Sequence, residues 1–204
     1  MLCASRRISA TASVDLGLPS GTLWATCNVG ANSPEEYGDY FAWGETAPKQ
    51  DYTWKTYKWC NGSWDSLTKY CTKSYYGTVD DKMELDPADD AAYENWGSSW
   101  RMPTKEQLAE LSENCTWQWT TRNGVNGELG TGPNGNTLFL PAAGYWDGTS
   151  LLSVGSISHY WSRTLFVGSL TAYSLDFFMG SNPSWNDHDR NHGKVVRPVR
   201  LSNN

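Results

Sequence analysis

Twelve tryptophans and eleven tyrosines among 204 residues set the terms on which this chain can fold. Helical proteins lean on Ala, Leu, Glu and Lys, whereas strands favour aromatic and β-branched side chains. Nineteen glycines and only 19% charged residues press the same way. The expectation is many short strands and irregular loops held by large aromatics. The length fits one domain that needs no disulfides to bury a core. Residues 1–12 read as an N-terminal tail and 13–204 as the domain.

The net charge is −6, and no Lys/Arg cluster exceeds two residues, so nucleic acid is not an expected partner. No apolar run approaches the roughly 18 residues of a membrane span. Met1 to Ala12 contains Arg6 and Arg7 without a following apolar core, so it does not read as an intact signal peptide. The five cysteines are Cys3, Cys27, Cys60, Cys71 and Cys115. An odd count leaves one thiol free or paired between chains. Cys60 and Cys71 flank a loop and can bridge, whereas Cys27 and Cys115 read as buried thiols. No CxxC pair occurs, so neither zinc nor any other cofactor is expected.

Along the chain, residues 13–30 read as two strands around a Pro19-Ser20-Gly21 turn, and 46–82 as a long loop insertion. A first helix starts with Asp86 as N-cap and Pro87 behind it, and runs over Ala88 to Asn95. A second follows the capping box Thr104-Lys105-Glu106-Gln107, with Leu108 and Leu111 on one face. Strands then follow at Thr116–Thr121, Thr137–Leu140, His159–Ser162, Ala172–Phe178 and Val195–Leu201, with turn signals at Asn123-Gly124 and Asn126-Gly127. The expected class is an α+β domain of two helices on short antiparallel sheets, its termini close together.

The strings VDLGLPSGTLWATCNVGA, EEYGDYFAWGET, WGSSWRMPTKEQL, LPAAGYWDG, HYWS and VVRPVR span nearly the whole chain. Together they resemble a family of gut-bacterial surface proteins with a C-type lectin fold. That family is related to the Fibrobacter major paralogous domain and to target proteins of diversity-generating retroelements. The resemblance implies a C-type lectin fold and a cell-surface, extracellular or phage-virion location. It also implies a fixed scaffold that includes Tyr160, Trp161, Arg190, Gly193, Arg197 and Pro198. Function has to be argued from the site, because one fold serves many activities.

An enzyme is not expected. Formylglycine-generating enzymes of similar fold use late cysteines, and none follows Cys115 here. The histidines, His159, His188 and His192, lack a nucleophile motif around them. A calcium-dependent glycan lectin is the alternative, since Trp185-Asn186-Asp187 spells the WND triplet of such lectins. Its Glu-Pro-Asn companion is missing, and calcium requires 6–8 oxygen ligands.

The favoured expectation is a ligand-binding protein with a diversified C-terminal face. Leu129 to Gly193 holds no Glu, Lys or Gln, although these make up 20 of the 139 residues elsewhere. Retroelement mutagenesis of AAY codons never yields those three types. In strand 172–178, alternation turns Tyr173, Leu175 and Phe177 inward and Ser174, Asp176 and Phe178 outward. The candidate binding residues are His159, Arg163, Leu165, Phe166, Ser174, Asp176, Phe178, Ser184, Asn186, Asp187, His188, Asp189, Asn191 and His192. Their expected partner is a protein or glycan on another cell or particle.

Overall fold

Residues 12–179 and 181–201 are described by a computed structural model; most of the 1–12 tail, Cys3 included, lies outside them. Four small antiparallel sheets build the protein. The first joins the two ends of the described chain: β1 (Ser13–Asp15) pairs with β2 (Thr22–Ala25), and β2 pairs with β11 (Val199–Leu201). Trp24 of β2 is buried in the main core.

The class differs from the expected α+β arrangement on a C-type lectin plan. Among the described residues 37% are strand and 12% helical, so the protein is mostly β. One reason lies at Asp90. Its carboxylate is fully buried and accepts the amides of Ala92, Tyr93 and Met102 and the Nε of Arg101. That role holds Asp90 extended, at φ −92° and ψ 114°. The expected first helix therefore divides into a 3₁₀ turn, Pro87–Asp89, and the six-residue α1 (Ala91–Trp96).

Helix α2 (Lys105–Asn114) begins where the capping box places it. Thr104 Oγ1 accepts from the Gln107 amide at 3.2 Å, and Gln107 Oε1 accepts from the Thr104 amide at 2.9 Å. Leu108 and Leu111 share the main core with Leu175 and Phe177, so α2 covers one face of the sheet β10-β9-β8. In that sheet β9 (Thr171–Phe178) is central, between β8 (Ile157–Leu165) and β10 (Ser184–Asp189).

A third sheet comprises β3 (Thr116–Arg122), β4 (Val125–Thr131) and β5 (Thr137–Pro141). Asn123 and Gly124, both at positive φ, close the β3–β4 hairpin. The second turn signal, Asn126-Gly127, instead lies inside β4. There a Cβ on Gly127 would come within 2.4 Å of the Leu140 carbonyl oxygen, so this glycine marks close strand packing. β6 (Tyr145–Asp147) and β7 (Ser150–Leu152) form the last sheet.

The insertion over 46–82 is irregular but packed, with its own core of Tyr52, Tyr57, Cys60, Leu67 and Cys71. Cys60 and Cys71 do not bridge. Their thiols face the carbonyls of Trp54 and Lys73, each at 3.1 Å. Two indoles clasp the middle of the protein: Trp43 Nε1 donates to the Ser162 carbonyl and Trp161 Nε1 to that of Phe41, both at 2.9 Å. No helix among the described residues is long and apolar enough to cross a membrane.

Candidate functional site

The outward face expected for β9 is buried. Ala172 to Phe177 are all buried. On one side α2 covers Leu175 and Phe177, and on the other Ala172 packs with Phe41, Trp43 and Trp161. Alternation is intact, but both faces of a central strand are covered. Ser174 and Asp176 are thus interior residues, and so are His159, Leu165 and Asn191. Leu165 packs with Trp161, and Asn191 Nδ2 donates to the Tyr52 carbonyl. Arg163, Phe166, Asp187, His188 and His192 are half-buried, while Phe178, Ser184, Asn186 and Asp189 are exposed.

The exposed members gather along β10, a sheet edge, and on the hairpin that leads into it. Phe178, Met179 and Trp185 stand 45%, 69% and 50% exposed. Trp185 packs edge-on against Tyr173, and Phe178 edge-on against His159. Asn186 and Asp187 lie opposite Ser174 and Tyr173, so their side chains leave opposite faces of β10. The Asn and Asp of the WND triplet thus project to opposite sides of the strand.

Beneath this edge lies a polar cluster drawn from three strands. Asp176 on β9 faces His159 on β8 and His188 on β10. His188 Nε2 is 2.6 Å from Asp176 Oδ2, and His159 Nδ1 is 2.8 Å from Asp176 Oδ1. Ser174 donates its hydroxyl to Asp176 Oδ1 at 2.6 Å. The His159 ring is angled so that Nδ1, although close to Asp176 Oδ1, is poorly aligned for a hydrogen bond to it. Burial pushes His159 down to about 4, with Asp176 acting against the shift. Burial tends to raise Asp176, but the two imidazoles hold it below the ordinary carboxylate range.

Lys194 is fully buried nearby, its ammonium 4.3 Å above the Trp161 ring and without a hydrogen-bond partner among the described residues. Burial lowers it well below the ordinary lysine value, against the fields of Asp176, Asp189 and Asp187. Neither the histidine–aspartate cluster nor Lys194 is evident from the sequence, because no local spacing links positions on separate strands.

A separate cleft of about 430 Å³ is lined by Arg101, Arg163 and Arg200 with Ser98 and Ser99. Asp90 and Glu84 pair with the first two arginines, at 2.7 and 3.1 Å. Of the three, only Arg200 has no carboxylate partner among the described residues. Arg163 is the single candidate binding residue that borders it. No family model, curated protein or solved structure matches the chain.

Proposed function

We propose that this is a ligand-binding protein of the receptor or adhesin type, which engages a protein or glycan on another cell or particle through the β9–β10 hairpin and the β10 edge. The observation that carries the reading is that Phe178, Met179 and Trp185 are all exposed along this hairpin and edge, Phe178 on the His159 face of the sheet and Trp185 on the Tyr173 face, so that a partner gripping the edge meets both. Soluble proteins seldom leave several large apolar side chains exposed along one sheet edge without a use for them. Buried aromatic anchors contribute most of the energy at contact surfaces, within a polar rim. Ser181, Asn182, Ser184 and Asn186 provide such a rim, all of them exposed. The unpaired side of β10 offers backbone groups to a partner as well. In the same reading, retroelement mutagenesis varies the other positions of this segment, while Met179 and Trp185, which AAY codons cannot yield, stay fixed and the buried strands β8 and β9 hold its shape.

The test applies the wild-type protein and the double variant Phe178→Ser/Trp185→Ser to arrays of purified glycans and of recombinant cell-surface ectodomains. Exposed substitutions change stability by less than about 0.5 kcal/mol each, so the two proteins should melt together. The expected result is a defined ligand for the wild type that the variant loses. A ligand held equally by both would move the binding site elsewhere. Diversification has its own check in the neighbouring DNA: a near-repeat of the codons for 159–193, differing at adenines, beside a reverse transcriptase gene.

A further inference from the structure

We propose that His159, Asp176 and His188 form a binding site for a divalent transition-metal ion of the zinc type. Their ligating atoms all lie within 4.8 Å of one another. Two imidazole nitrogens and a carboxylate suit zinc and its first-row neighbours, whereas calcium takes oxygen alone. The site can be tested without the proposed partner: His159 and Asp176 lie beneath the binding edge, and only His188 belongs to it.

The angle of His159 is the telling detail. Its Nδ1 sits 2.8 Å from a carboxylate oxygen yet is not aimed at it. Two groups bonded to one another align. Two ligands of one ion each aim at the ion, and so past one another. With metal–ligand bonds of about 2.0–2.2 Å, neighbouring ligands in a tetrahedral site stand about 3.3 Å apart. The present 2.8 and 2.6 Å separations therefore have to open by roughly half an ångström to one ångström on binding. The ion would replace the hydrogen bond between His188 Nε2 and Asp176 Oδ2, and the His188 proton would then reside on Nδ1.

An outer partner is already in place. Ser174 Oγ donates to Asp176 Oδ1, which fixes the carboxylate as second-layer hydrogen bonds do around metal sites. Access is one-sided: the side chains of His159 and Asp176 are 6% and 1% exposed, and that of His188 is 25%. Three protein ligands and an approach from the β10 side leave a coordination position for water, or for a donor atom of a ligand seated on that edge.

The experiment titrates the full chain with Zn²⁺ against a chromophoric chelator, and with Co²⁺ followed by its visible spectrum. Expected are one ion per chain with a dissociation constant of micromolar order (about −8 kcal/mol), and a cobalt spectrum without a thiolate charge-transfer band. His188→Ala should weaken binding by at least about tenfold. Proton NMR of the wild-type protein provides a second reading that needs no variant: one equivalent of Zn²⁺ should shift the ring signals of His159 and His188 more than those of His192. The proposal is overturned by the absence of saturable binding tighter than about 1 mM, by a thiolate band, by affinity unchanged in His188→Ala, or by ring signals that do not move.

Discussion

Arg190 holds its guanidinium 5.1 Å from the centre of the Trp43 ring, wholly inside the protein. The pair joins the end of β10 to the segment that precedes the irregular insertion. Every edge of the guanidinium is used: Nε donates to the Tyr57 hydroxyl, Nη1 to the carbonyls of Tyr70 and Ser169, and Nη2 to that of Lys69. The insertion has no sheet of its own, so this one side chain supplies much of its order.

Replacing Arg190 by Ala should cost at least about 3 kcal/mol, because each orphaned buried polar group costs roughly 1–3 kcal/mol. Lys should rescue little, since an ammonium cannot reproduce the planar fork. Urea unfolding of both variants checks this. A loss under about 1 kcal/mol for Arg190→Ala would mean that the insertion is held some other way.

Glu128 gives the protein a predictable pH dependence. Its carboxyl lies in β4 between Trp119 and Leu140, 2% exposed, with Oε2 unpartnered. Burial pushes it from 4.5 up to about 7. Between those values the unfolded chain releases the proton while the folded chain keeps it, so stability falls as pH rises through the window and levels off above it. At about 1.4 kcal/mol per pH unit the full loss is about 3 kcal/mol. Glu128→Gln should abolish this component. Denaturation of both proteins at about pH 4.5 and about pH 8 gives the comparison. A wild-type-minus-variant difference that stays constant would refute it.

Thr104→Ala should lower stability by about 1 kcal/mol through loss of the cap on α2. For a chain of this size that is about 2–4 °C in melting temperature. Thr104→Ser keeps the accepting hydroxyl and should melt close to the wild type. Equal melting of the Ala variant would show that the Gln107 half of the capping box suffices.

What was legible in the sequence was local. The Thr104 box and the Asn123-Gly124 turn are written in neighbouring residues, and the chain follows both. Asp86-Pro87 also reads as a helix start, but the buried carboxylate of Asp90 interrupts it for partners as distant as Met102. Ser184–Asp189 is not among the expected strands, and it becomes one only because β9 lies beside it. The same non-local cause buries Ser174 and Asp176: strand alternation assigns faces, but not what covers them. His159, Asp176 and His188 meet through register across three strands, which no spacing along the chain encodes. The composition signalled a β-rich protein, and the two helix motifs drew the class expectation too far towards α+β.

The pairing of β2 with β11 governs when the protein can fold during synthesis. Thr22–Ala25 leaves the ribosome long before one of its two strand partners, Val199–Leu201. Arg101 likewise waits for Val199. Until those late residues emerge, the first sheet is incomplete and Trp24 lacks part of its cover. Closing so long a loop is slow. Between the emergence of Thr22 and that of Leu201 the nascent chain therefore carries uncovered aromatic surface, the interval in which chaperones are most needed.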